Sequence, residues 1–304
     1  MLDLYLPSQV AGITFNPLVV LGYGVLVGII TGLLGVGGGT LVVPFLSLYL
    51  GLPIRLAIGT SLFQITGIAA SGAYQHFKLG SSDLKLAAVL ASSGAFMAYV
   101  GAVVSRFIPA DLLKGVFGVF VIVIAYKFMQ TKKAPLKAAT VVPRPVSIPP
   151  PIQQQVFFSF LPVNMITHYV PMDIHRQSRS GEYDINVPKM VLLGGGVGLF
   201  SGILGVGGGF LLVPGLVFLG IPIKVAVGTD LAQIVASSIV GASTYYSNGD
   251  VALSIGLLLM AGGVVGTVIG AKLNRKIPSA TLRRLFGFIM IPLGLLMVKS
   301  ALGY

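Results

Sequence analysis

The chain has 304 residues, 55% of them hydrophobic and only 9% charged, with a mean hydropathy of +0.94, which excludes a water-soluble globular protein. Apolar stretches of about 18 residues or more recur, so the fold class expected is an all-α integral membrane protein and not a barrel of short alternating strands. Disulfides and thiolate metal sites are excluded by the absence of cysteine, and the net charge of +12 lies beside membrane segments instead of in a groove-sized basic cluster, so no nucleic-acid partner is expected.

Residues 1–16 are short and stay unassigned. They lack the basic region, apolar core and cleavage site of a signal peptide, so the first apolar segment is expected to remain in the protein. From Pro17 to Leu50 the sequence is almost wholly apolar for 34 residues. As one straight helix it would run about 50 Å against a hydrocarbon core of about 30 Å. Within it stand Gly37, Gly38 and Gly39, each costing a helix about 1 kcal/mol relative to alanine. The helix is therefore expected to break there, with a second half-helix starting near Gly39. Three ordinary spans are predicted next, at 56–77, 83–107 and 111–129.

Residues 130–188 change character. Pro143, Pro145, Pro149, Pro150 and Pro151 mark a connector that is partly extended, and Val156 to Leu161 are apolar enough to lie on a membrane surface but too few to cross it. His168, Asp173 and His175 resemble metal ligands only loosely, with no third well-spaced donor, and read as solvated loop residues. Neither a metal nor a cofactor is expected.

The pattern then restarts. Gly32 pairs with Gly202 at an offset of 170, and Pro53/Pro222, Gly59/Gly228, Thr60/Thr229, Gln64/Gln233, Gly94/Gly263, Gly101/Gly270 and Phe117/Phe286 follow at an offset of 169. The organisation predicted is an N-terminal segment (1–16), a first transmembrane repeat (17–129), the connector (130–188) and a second transmembrane repeat (189–304), with later spans at 225–247, 251–273 and 279–301. A second break falls at Gly207, Gly208 and Gly209.

If each broken element enters and returns to the same side, all of the 20 Lys and Arg except Arg55, Arg106, Lys114 and Lys299 share the connector's face. If each element crosses instead, Lys272, Arg275, Lys276, Arg283 and Arg284 fall outside. The positive-inside rule selects the first arrangement. Two inverted-topology repeats result, each a glycine-broken helical hairpin plus three transmembrane helices, with a cytoplasmic connector, both termini outside, and the two breaks facing each other near the midplane.

Three groups of residues are candidates for chemistry. The tips Gly37, Gly38, Gly39 and Thr40, and Gly207, Gly208, Gly209 and Phe210, would point helix N–H groups and positive dipole ends inward, a setting for an anion. The alternative is close helix packing, which serves for Gly28, Gly32, Gly198 and Gly202. Thr60 with Gln64, and Thr229 with Gln233, each share a helical face; they either complete an oxyanion site or hold the bundle together. Asp230, whose counterpart is Ser61, is a proton-coupling candidate because a carboxylate in a span costs about 2.5–3.5 kcal/mol. Its alternative is a cap or ion pair near Lys224. His76 is a gate candidate; it and its counterparts Tyr245 and Tyr246 otherwise read as interfacial anchors. No catalytic set occurs, so the protein is read as no enzyme.

The doubled Gly-x-x-Gly-Val-Gly-Gly-Gly-x-x-x-x-Pro, at Gly32–Pro44 and Gly202–Pro214, is each time followed by Pro-x-x-x-Ala-x-Gly-Thr-x-Leu. This resembles the TauE/SafE family of sulfite and organosulfonate exporters, also called four-toluene sulfonate uptake permeases, over roughly 18–129 and 189–303. The resemblance implies a plasma-membrane carrier of a small sulfur-containing anion; protons as a coupling ion are expected through Asp230. The rival readings are an anion channel using the tips as a filter, and a membrane enzyme or assembly subunit whose connector binds a partner.

Overall fold

The computed structural model describes residues 8–10, 13–34, 37–78, 82–130, 173–178, 181–274 and 279–303. Each half opens with a short antiparallel hairpin, β1 (Ser8–Val10) with β2 (Ile13–Phe15), and β3 (Asp173–Ser178) with β4 (Gly181–Asn186). The first half continues as α1 (Pro17–Leu34), α2 (Gly39–Pro44) running into a π-helical stretch at Phe45–Tyr49, α3 (Ile54–Lys78), α4 (Leu84–Val104) and α5 (Ala110–Gln130). The second repeats it as α6 (Val187–Leu204), α7 (Gly209–Phe218), α8 (Ile223–Ser247), α9 (Leu253–Asn274) and α10 (Ser279–Ala301). Among the described residues five helices are long and apolar enough to cross a membrane.

The broken elements are hairpins. Tyr23 of α1 donates its hydroxyl to the Leu41 carbonyl of α2 at 2.8 Å and stacks on Phe45 with ring centroids 3.8 Å apart. In the second half Gly215 of α7 lies against Leu193 of α6. A proline inside each return helix, Pro44 or Pro214, withholds one backbone donor. After Pro44 the ladder slips to the wider pattern, with Leu50 N–H donating to the Phe45 carbonyl at 3.1 Å.

Packing is exchanged between the halves. Helix α1 lies along α9, Gly24 against Leu259 and Gly28 against Gly263, so the two run parallel. Helix α6 lies along α4 in the same way, with Gly198 against Gly94 and Gly202 against Ala98. Helices α3 and α8 run antiparallel, as the pairs Leu62/Gly241, Thr66/Ser238 and Gly72/Leu231 establish. So do α5 and α10, through Gly118/Gly294 and Met129/Gly287. Helices equivalent in the sequence repeat thus meet head to tail.

Lipid supplies no hydrophobic drive for helix association, so close approach of backbones through small residues does that work. A Cβ at Gly198 would run into the Gly94 carbonyl. Gly198→Leu is expected to push α4 from α6 and to destabilise the protein by about 1–3 kcal/mol. Thermal unfolding in detergent measures it, and an unchanged melting temperature would contradict this packing.

The stretch before α1, left unassigned in the sequence, holds β1 and β2, which end in the buried Phe15. One expectation is corrected here. Asp173 and His175 belong to strand β3, opposite Asn186 and Asp184, and not to a solvated loop. His168 and the apolar stretch 156–161 lie outside the described residues.

Candidate functional site

Helix α1 ends at Leu34 and α2 starts at Gly39, with Gly37 and Gly38 at φ 73° and 74°. Helix α6 ends at Leu204 and α7 starts at Gly209, with Gly207 and Gly208 at φ 80° and 83°. These left-handed conformations cost an L-residue roughly 1–2 kcal/mol each, which is why glycine occupies them. Each break is closed by the residue before its return helix. The Gly38 carbonyl accepts from Leu41 N–H at 3.1 Å and Val42 N–H at 3.3 Å, and the Gly208 carbonyl accepts from Leu211 N–H at 2.9 Å and Leu212 N–H at 3.1 Å.

The two breaks touch. The position of a Cβ on Gly37 lies 3.6 Å from the Val206 carbonyl oxygen and 3.9 Å from Gly207 Cα, and that of a Cβ on Gly39 abuts the Gly205 carbonyl. Their meeting point is level with Ile65 and Ile234, near the middle of α3 and α8.

Buried polar side chains surround this junction. Thr31 Oγ1 and Gln64 Nε2 lie 2.7 and 4.0 Å from the Cβ position of Gly38. Gln233 Nε2 crowds Gly94 on α4. The side-chain polar atoms of Thr31, Thr40, Gln64, Ser201, Asp230 and Gln233 are buried without hydrogen-bond partners among the described residues. An unsatisfied buried polar group costs about 1–3 kcal/mol, so these six are candidates for contact with a polar solute. Thr31 and Ser201 were not singled out in the sequence, although they pair at the same offset of 170 that joins Gly32 to Gly202.

Thr60 and Thr229 are directed elsewhere. Thr60 Oγ1 accepts from Ala252 N–H at 2.9 Å, just before α9, and Thr229 Oγ1 accepts from Asp83 N–H at 3.2 Å, just before α4. Both hydroxyls therefore tie helix ends. Ser61 Oγ donates to the Gly205 carbonyl at 2.8 Å, fastening α3 to the second break. Its counterpart Asp230 is fully buried, with neither oxygen paired among the described residues; the side chain of Lys224 lies outside them. His76 sits in the last turn of α3 and is half-buried. The side chain of Phe210 lies outside the described residues.

The ends of the bundle are tied differently. On the connector's side Asp83 caps α4, its Oδ1 accepting from Lys85 and Leu86 N–H, while Tyr183 of β4 donates to its Oδ2 at 2.7 Å. At the other end Arg55 donates to the Arg106 and Ile108 carbonyls at 2.9 and 2.8 Å. Burial raises the Asp250 carboxyl above the ordinary aspartate value, with Arg55 and Arg106 pulling the other way. Tyr245 is not the interfacial anchor that its position suggested. It is 1% exposed, and its hydroxyl lies 2.6 Å from Ser105 Oγ and 3.0 Å from the Gly202 carbonyl oxygen. Tyr246 is exposed. No cluster of metal-ligating residues occurs among the described residues.

An α-helical bundle of membrane spans around opposed backbone breaks and unpaired amides and hydroxyls is the architecture of a membrane transporter. A family model described as sulfite exporter TauE/SafE matches residues 20–297, and the chain belongs to that family. It is 29% identical to the probable membrane transporter protein YunE of Bacillus subtilis, over 92% of this chain and 96% of that one. It is 26% identical to the probable membrane transporter protein YdhB of the same organism, over 85% and 90%. Identity is also 26% to the probable membrane transporter protein MJ0441 of Methanocaldococcus jannaschii, over 90% and 92%. No solved structure matches.

Proposed function

We propose that this transporter is a secondary carrier, working as an exporter, of a small sulfur-containing anion such as sulfite or an organosulfonate, by alternating access around the junction of the two glycine tips. The observation that carries the reading is that junction: two half-helices start there, and the unpaired atoms of Thr31, Gln64, Ser201 and Gln233 are buried around it. Helix N-termini favour negative charge, and glycine lets an oxyanion approach the backbone. Amide and hydroxyl dipoles stabilise such a charge without a fixed counter-ion, so release stays fast. The family description, sulfite exporter TauE/SafE, supports sulfite as the probe.

The repeats are inverted in the plasma membrane, with the connector cytoplasmic and both termini outside. Head-to-tail packing of α3 with α8 and α5 with α10 supports this, as does the placing of all Lys and Arg except Arg55, Arg106, Lys114 and Lys299 on the connector's face. Asp230 is the proton-coupling residue of the cycle. Purified protein in liposomes is expected to accelerate uptake of labelled sulfite when unlabelled sulfite is present on the far side. Sulfite current without such exchange would mean a channel, and no binding of sulfite or organosulfonates would sink the anion reading.

A further inference from the structure

Two isoleucines stand where the tips meet. Ile65 and Ile234 are fully buried, related by the sequence repeat, and grouped with Ala69 and Leu231 in a small apolar cluster separate from the two larger cores. Each touches both breaks. Ile65 Cδ1 lies 2.7 Å from the Cβ position of Gly39, and its Cγ2 lies 3.2 Å from that of Gly207. Ile234 Cδ1 lies 3.7 Å from the Cβ position of Gly37, and its Cγ2 lies 3.8 Å from that of Gly207. Each directly follows an unpartnered glutamine, Gln64 or Gln233. Apolar side chains thus stand where the two breaks meet, each one residue from an unpartnered glutamine.

We propose that Ile65 and Ile234 are the central seal of the transport path, excluding water and ions where the two breaks meet and setting the largest anion that passes. The inference rests on the transport reading above. Branched apolar side chains at a constriction bar ions because a narrow apolar gap stays dry, and glycines on either side let the half-helices close on them without a Cβ intervening. The isoleucines are therefore specificity-determining residues: their apolar surface keeps the gap dry and their size sets the largest anion that passes.

The test uses the full chain in liposomes and planar bilayers. Ile65→Val and Ile234→Val remove the Cδ1 methyl that faces the tips, while Ile65→Ala and Ile234→Ala open the gap further. Chloride conductance is expected to rise at least about tenfold in the double alanine variant and to a smaller extent in the double valine variant, and the rate of benzenesulfonate uptake relative to sulfite is expected to rise in parallel. Chloride leak is read whether or not sulfite is the substrate, so wild-type protein that moves no sulfite overturns the proposed function while the leak still decides the seal. If the valine variants, which are the milder packing change, elute and melt like wild type but show neither leak nor altered anion ratio, the seal is wrong. Should the alanine variants fail to fold, the valine pair decides alone.

Discussion

Valine in place of Gly38 or Gly208 is expected to abolish sulfite binding while the protein still inserts. At φ 74° and 83° an L-residue is strained by roughly 1–2 kcal/mol, and a β-branched one by more. At Gly38 the added Cβ would also lie 2.7 Å from Thr31 Oγ1 and 2.8 Å from Val27, and at Gly208 it would lie 2.5 Å from Val197. The tip has to move, and the opening of the return helix moves with it. Affinity is expected to fall at least about 100-fold, near 2.7 kcal/mol, measured by calorimetry on purified protein. Gly220→Val is the control. Gly220 has φ 87° but nothing within 4 Å of a Cβ, so it suffers the same strain and blocks no site. If all three variants bind alike, the tips are packing devices.

Replacing Asp230 by asparagine is expected to uncouple transport from the proton gradient. A carboxylate inside a span is costly and faces a pathway or a partner; Asp230 has neither an ion pair nor a hydrogen bond among the described residues. Its counterpart Ser61 donates to a backbone carbonyl at the second break, a bond that a carboxyl group can make only when it holds its proton. One pH unit is worth about 1.36 kcal/mol, or a tenfold ratio for one coupled proton. Gradient-driven accumulation of sulfite should therefore fall from about tenfold per pH unit toward unity in Asp230→Asn, while exchange at equal pH persists. Unchanged pH dependence rejects the assignment.

Much of this was legible in the sequence because long apolar runs and glycine triplets are strong local signals. The return helices start at Gly39 and Gly209, where three glycines left no helical alternative, and the spans fall within a few residues of the apolar stretches. What escaped depends on long-range partners. Thr60 and Gln64 do share a helical face, but spacing says nothing of the Ala252 amide that takes the Thr60 hydroxyl. Tyr245 looked interfacial by position, yet Gly59 of α3 leaves room for its side chain and Gly202 offers a carbonyl to its hydroxyl. Strand pairs as short as β1 and β2 carry no readable pattern at all.

The exchanged packing of α1 on α9 and α6 on α4 has a consequence for motion. Neither sequence half is a rigid block, because each leading hairpin is cemented to a helix of the opposite half through facing glycines. Any piece that swings must therefore combine elements of both halves, with α1 moving with α9 and α6 with α4.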